Sequence, residues 1–386
     1  MTTFNPKISV LMSVYNGADY LQEAIDSILG QTYQDFEFVI INDCSTDKTW
    51  EILQRNAAQD SRIILVDNNE NLGLIRSLNK GLDISRGDFI ARQDADDISV
   101  RDRFEKEIAV IDNQPDCVLV SGNIQVIEGN DKTIVEIIRR DCLPFLINWY
   151  LLFSNRLAGH SQVMYRRDVV VSLGGYSKDH LYMEDYELWC RLARTGKRLV
   201  ILPDILLTYR RHGQSVSAQK REQQETNDYL QAQDNLQRLL NEKISIDTVK
   251  AIVGFWKGKR LRFMAQTHHK FPSGDDAKLV HEMTIKIRNA FVQHYQGDQD
   301  AHKVLETLNA LIAQQFVYWL RSPLTSRHSI WSKVQISFYA LRWSPLDMPL
   351  AWLMWLIRSP IDFGVTLMRK VGWFDRFNAS LNTVIK

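Results

Sequence analysis

The sequence predicts an α/β protein with a mainly parallel sheet, followed by an all-α region. Three observations carry that prediction. Through about residue 130, short apolar runs alternate with stretches of helical periodicity, the pattern of a parallel sheet covered on both faces. Several of those runs end in polar turns rich in Asn, Asp and Gly. After Ser217 the strand-like pieces stop and long helical patterns take over.

In order, Ile8–Val14 reads as a strand ending at Tyr15-Asn16-Gly17. Tyr20–Leu29 has apolar residues at helical spacing. Phe36–Ile41 is a buried strand that runs into Asn42-Asp43-Cys44-Ser45, and a helix is expected over 46–58. Ile63–Val66, Leu74–Ile84 and Phe89–Arg92 give a third strand, a third helix and a fourth strand. A helix over Arg101–Ile111 and a strand over Cys117–Gly122 follow. From Ile124 to Tyr209 the pattern is irregular, apart from an amphipathic helix over Tyr186–Arg194. Helices are then expected over Tyr229–Leu240, Thr248–Thr267, Lys278–Tyr295 and Ala301–Leu320. These readings place a catalytic domain at 1–220, a helical domain at 221–320 and a basic, Trp-rich segment at 321–386.

The 386 residues leave room for a full-sized catalytic core, and a formal charge of +1 argues against a nucleic-acid binder. That charge hides an asymmetry: residues 321–386 hold nine Lys/Arg against three Asp/Glu, a net of +6. Cys44, Cys117, Cys142 and Cys190 show no CxxC spacing and read as reduced thiols of a cytoplasmic protein. The first seven residues lack the pattern of a secretory signal.

The densest chemical signal is Asp94-Ala95-Asp96-Asp97, placed directly after an apolar strand. Three like charges so close together call for a cation, and oxygen-only clusters suit Mg²⁺ or Mn²⁺. An acidic turn capping the next helix through Asp97 or Ser99 would look the same. Asp43 ends another strand, where it could accept bonds from a base or ribose, or merely cap. Because these turns end neighbouring parallel strands, they should lie along one sheet edge, where such folds bind ligands. Glu184 and Asp185 open a helix, which suits either the helix dipole or a general base beside a cleft. The stretch Tyr209-Arg210-Arg211-His212 could face phosphates or simply be solvated.

Together these motifs resemble the family 2 glycosyltransferases, inverting enzymes with the nucleotide-sugar-binding fold called GT-A. The resemblance spans about residues 7–217. It also draws on Asn71-Leu72-Gly73, Asn79-Lys80-Gly81, His160-Ser161-Gln162 through Arg167, Gly174-Gly175-Tyr176 and Glu184-Asp185-Tyr186-Glu187-Leu188-Trp189. It implies that Val14, Tyr15, Asn16, Asp43 and Arg76 contact the donor, and that Asp94 contacts the ribose or the metal. Asp96 is its first choice of metal ligand, Mn²⁺ or Mg²⁺, with His212 in a metal- or phosphate-facing place. Asp185 would be the catalytic base and Glu184 its neighbour. No QxxRW sequence follows, so single-residue transfer is expected over processive synthesis.

The expected reaction is hexosyl-type transfer from a nucleotide-diphosphate sugar, UDP-sugars favoured, to a glycan or lipid-linked acceptor in bacterial surface-polysaccharide or lipopolysaccharide synthesis. A non-catalytic nucleotide-sugar-binding scaffold is the alternative. A nucleotidyltransferase fits poorly, because the turn after the first strand is neither Gly-rich nor basic. Two roles stay open for 321–386: an interfacial helix on the cytoplasmic face of the inner membrane, or a docking helix for the protein itself or a homodimer partner. Its Trp331, Trp343, Trp352, Trp355 and Trp373 and the apolar run Pro349–Ile357 suggest both, but the run is too short to span a bilayer.

Overall fold

A computed structural model describes residues 5–140, 142–157, 159–213, 215, 219–257, 276–294, 301–321 and 330–343. The chain forms two compact units, Met1–Arg238 and Leu239–Lys386.

The first unit is a mixed nine-stranded sheet with helices on both faces. β1 (Ile8–Val14) lies at its centre, parallel to β2 (Phe36–Asn42) and β4 (Phe89–Arg92), and β3 (Ile63–Asp67) extends the parallel half beyond β2. β1 is buried on both faces. Leu11 joins one apolar core, while Ile8, Val10, Met12 and Val14 join the other. α1 (Leu21–Leu29), α2 (Thr49–Gln59) and α3 (Leu74–Ile84) are the crossovers; α1 turns Leu21, Ala24, Ile25 and Ile28 inward.

The other half of the sheet is not parallel. After β5 (Ile98–Ser99) and α4 (Arg103–Ile111), β6 (Cys117–Glu128) and β7 (Asp131–Ile138) form a hairpin. α5 (Pro144–Leu151) leads to β8 (Met164–Arg166), which slots antiparallel between β4 and β6. α6 (Arg167–Ser172) and α7 (Glu184–Arg194) precede β9 (Arg198–Arg211), fourteen residues long and parallel to β6. The full order is β3-β2-β1-β4-β8-β6-β9-β5, with β7 paired to β6.

Several sequence motifs are structural clamps. Asn79 donates to the Tyr176 carbonyl and accepts from the Tyr176 amide, both at 2.8 Å, joining the Asn-Lys-Gly helix to the Gly-Gly-Tyr turn. Arg191 grips Glu187 and the carbonyls of Leu173 and Gly175 at 2.7–2.9 Å. α8 (Arg221–Leu240) begins after the composition change near residue 220, and nearly all of it belongs to the first unit. Its Asn235 donates to the Leu151 carbonyl and the Cys190 thiol.

In the second unit α9 (Ile246–Lys257), α10 (Ala277–Gln293), α11 (Ala301–Arg321) and α12 (Ile330–Trp343) share an aromatic core. Phe255 there meets Phe316 and Trp319 at centroid distances of 4.7 and 5.7 Å. Trp352, Trp355, Trp373 and the apolar run 349–357 lie outside the described residues.

Candidate active site

β1, β2 and β4 are adjacent and parallel, so their C-terminal turns do lie along one edge. The first two turns are stitched together. Asn16, at a φ of 50°, donates its amide to Ser45 Oγ, and its side-chain carbonyl accepts from the Thr46 amide at 2.8 Å. Val14 is buried and its carbonyl accepts from the Asp43 amide, whereas Tyr15 is exposed.

Asp43 is buried with both carboxylate oxygens engaged. They accept from Asn68, Ser77 and the amides of Leu72 and Gly73, at 2.8–2.9 Å. Gly73 sits at a φ of 80°, which a side chain would strain, and this explains the Asn-Leu-Gly motif. Any bond from Asp43 to a base must therefore compete with four protein donors. Arg76 stands exposed on the first turn of α3, with no ion pair among the described residues.

The four-residue acidic turn divides into three different environments. Asp94 Oδ1 pairs with the fully buried Arg92 guanidinium, and Oδ2 accepts from Ser161 Oγ at 2.5 Å. Burial is the largest influence and would raise its pKa, but Arg92, His160 and the Ser161 hydrogen bond together hold the carboxyl below its ordinary value. Asp96 faces His212, with Oδ2 2.9 Å from Nε2; burial and the Asp94 charge push its carboxyl up. Asp97 is buried and accepts from the Arg210 amide at 2.9 Å, so it is a structural link rather than a ligand.

His212 follows β9 directly, and its ring lies 5.0 Å from that of Tyr20. Arg210, read from sequence as either phosphate-facing or solvated, is buried. It donates to the Asp96 and Gly129 carbonyls, pairs with Glu23 and lies over the Tyr20 ring. Arg211 pairs on the surface with Glu136 and Glu128.

Among the described residues no three His, Cys, Asp or Glu side chains are gathered to hold a metal. The Asp96–His212 pair nevertheless fits one. Neighbouring ligands of an octahedral ion with bonds of about 2.1 Å lie about 3 Å apart, and this oxygen and nitrogen are 2.9 Å apart. Asp94 fits less well, since Arg92 and Ser161 already occupy its oxygens.

Across the site, Asp185 opens α7. Asn155 donates to its Oδ2 at 2.8 Å and the Tyr186 amide to its Oδ1 at 2.6 Å. Burial raises its pKa to about 6; the charges of Asp228 and Asp94 add to this, and the two hydrogen bonds oppose it. Glu184, 8 % exposed, is pushed to about 7 by burial and by Asp185, with Asp94 adding. The Asp94 charge thus reaches both carboxylates, which places the acidic turn within electrostatic reach of the α7 pair. His160 stands close to Arg92 and Asp94. Its Nε2 meets the Tyr176 hydroxyl at 2.8 Å, and burial with the nearby Arg92 charge lowers its pKa to about 3, leaving it neutral.

Residue-by-residue reading had missed Arg92, Asn155, His160 and Ser161 as site members. Arg92, His160 and Ser161 stand in or beside quoted motifs, but nothing local marks Asn155.

Residues 9–174 match the family model described as glycosyl transferase family 2. An uncharacterized glycosyltransferase of Haemophilus influenzae is 34% identical over 63% of this chain and 76% of its own length. The amylovoran biosynthesis glycosyltransferase AmsE of Erwinia amylovora is 33% identical over 52% of this chain and 75% of its own. The Escherichia coli UDP-Glc:alpha-D-GlcNAc-diphosphoundecaprenol beta-1,3-glucosyltransferase WfaP is 31% identical over 55% of this chain and 80% of its own.

Proposed function

The chain belongs to glycosyltransferase family 2, and from that premise we propose that it moves a single sugar from a UDP-sugar to a hydroxyl of a lipid-linked glycan, with inversion. One observation carries the reading: Asp185, whose carboxyl burial raises to about 6, lies within electrostatic reach of Asp94 in the acidic turn that also holds Asp96. A single displacement needs that layout, with the base on the acceptor side and the leaving group opposite. The donor and acceptor classes follow the name of the E. coli relative.

In this mechanism Asp185 takes the proton of the acceptor hydroxyl as its oxygen attacks the anomeric carbon. The bond from that carbon to the diphosphate oxygen breaks, and the electron pair leaves with the nucleotide. Asn155 and the Tyr186 amide hold the carboxylate in one orientation while leaving it lone pairs for the proton. The turn at Val14, Tyr15 and Asn16 bounds the donor, with Asp43 shaping it from behind and Arg76 at its rim. A divalent ion held by Asp96 and His212 would neutralise charge growing on the leaving diphosphate. A nucleotide-sugar donor and four free cysteines suit the cytoplasm.

The test is a panel of nucleotide sugars assayed for Mn²⁺-dependent hydrolysis and binding by calorimetry. Asp185→Asn should lower turnover by about 10²–10⁴-fold while leaving donor affinity intact, and Asp96→Ala should remove the Mn²⁺-dependent part of that affinity. Near-normal transfer by Asp185→Asn would overturn the assignment of the base.

A further inference from the structure

α12 has two apolar faces, and among the described residues one of them packs into the helical unit while the other is exposed. Ile336, Ala340 and Trp343 are buried; Tyr339 stacks on His281 at 4.0 Å, and Trp343 Nε1 donates to His281 Nδ1 at 3.2 Å. The other face carries Trp331, Val334, Phe338 and Leu341. Their spacings of three, four and three place them in a single stripe along the helix. Their exposures are 81, 49, 60 and 41 %, so the stripe is a continuous open surface rather than scattered apolar residues.

The charges on the helix say what covers it. Lys333 and Arg342 are its only ionisable groups besides Tyr339, and both are cationic. Arg342 stands one turn beyond Phe338 at one edge of the stripe, and Lys333 flanks the other. Two copies of α12 packed stripe to stripe would set cation near cation, with no carboxylate on the helix to pair them. A surface of negative charge over an apolar layer meets both requirements at once. Trp331, the most exposed of the four, is the residue type that settles at such a boundary. No described helix is long and apolar enough to cross a membrane, so the contact this stripe can make lies along the surface.

We propose that the Trp331–Val334–Phe338–Leu341 face of α12 docks the protein on an anionic lipid leaflet. This reading is independent of which sugar is transferred, and it is tested by lipid binding rather than by turnover, so either reading can fail without the other.

The experiment is co-sedimentation of the full chain with phosphatidylcholine vesicles, with and without phosphatidylglycerol. Light scattering of the lipid-free protein runs alongside. Binding should require the anionic lipid and weaken with salt. Trp331→Ala with Phe338→Ala should lower partitioning at least about tenfold, since two apolar side chains lose their burial. Lys333→Gln with Arg342→Gln should remove the preference for anionic vesicles. All four side chains reach solvent, so thermal midpoint and donor binding should not change. The proposal is overturned if the Trp331/Phe338 variant partitions like the parent. It is equally overturned if the parent is a dimer that this variant disperses, because the stripe would then belong to a second copy.

Discussion

Asp185, the proposed base, owes its raised pKa to burial set against two hydrogen bonds, and Asn155 holds the part of that balance a mutation can reach. The Asn155 carbonyl oxygen accepts from the Leu157 amide at 3.1 Å, which fixes the amide so that its NH₂ faces Asp185. Donation to a carboxylate favours the charged form. Asn155→Ala should therefore move the acidic limb of kcat/KM upward by roughly half to one pH unit, with the alkaline limb in place. A lower rate with an unmoved limb would make Asn155 a packing residue only. The sequence singles out Asp94, Asp96 and Asp185 as candidates because each lies in a local acidic motif beside an element boundary. Asn155 and Ser161 are not singled out, since they meet their partners across 30 and 67 residues of chain and gain meaning only from the fold.

At the scale of elements, the Asp96–His212 pair proposed to hold a metal exists because β9 is clipped to the acidic turn. Asp97 accepts from the Arg210 amide, and the Arg210 guanidinium returns a bond to the Asp96 carbonyl. His212, two residues on, is thereby delivered to Asp96. Asp97→Ala should cost about 1–3 kcal/mol, because it leaves a buried amide without its acceptor. It should also weaken Mn²⁺-dependent donor binding, although Asp97 is not itself a ligand. Unchanged melting together with unchanged Mn²⁺ dependence would refute the clip. The parallel half of the sheet was readable from its apolar runs, but β9 was not, because Pro203 and Asp204 break its pattern. The structure absorbs the break in a register shift of β6 between Ser121 and Asn123, where the Asn123 side chain donates to the Pro203 carbonyl at 2.8 Å. β8 is too short to stand out, yet its insertion between β4 and β6 is what ends the parallel arrangement.

For the molecule as a whole, the proposed site would trade stability for reactivity, and pH would expose the trade. Glu184 and Asp185 have folded values of about 7 and 6 against ordinary ones of 4.5 and 3.8, and the buried Glu107 is raised in the same way. The folded chain thus keeps protons that the unfolded chain releases. The stability these groups provide is complete below about pH 4 and is lost as the pH climbs through about 7. His160 acts in the opposite sense: neutral in the fold down to about 3, it costs stability once the unfolded imidazole gains its proton below 6.5. Melting temperature should therefore fall between pH 6 and pH 8, over the interval in which an active Asp185 carboxylate makes turnover rise. Replacing the pair, Glu184→Gln with Asp185→Asn, should abolish transfer and flatten the alkaline fall, by on the order of 1–3 kcal/mol at pH 8. Calorimetric melting of parent and variant at both pH values checks this. Equal slopes would mean that the two carboxylates are no more costly to ionise in the fold than in the unfolded chain, and Asp185 would lose the raised basicity on which its role rests.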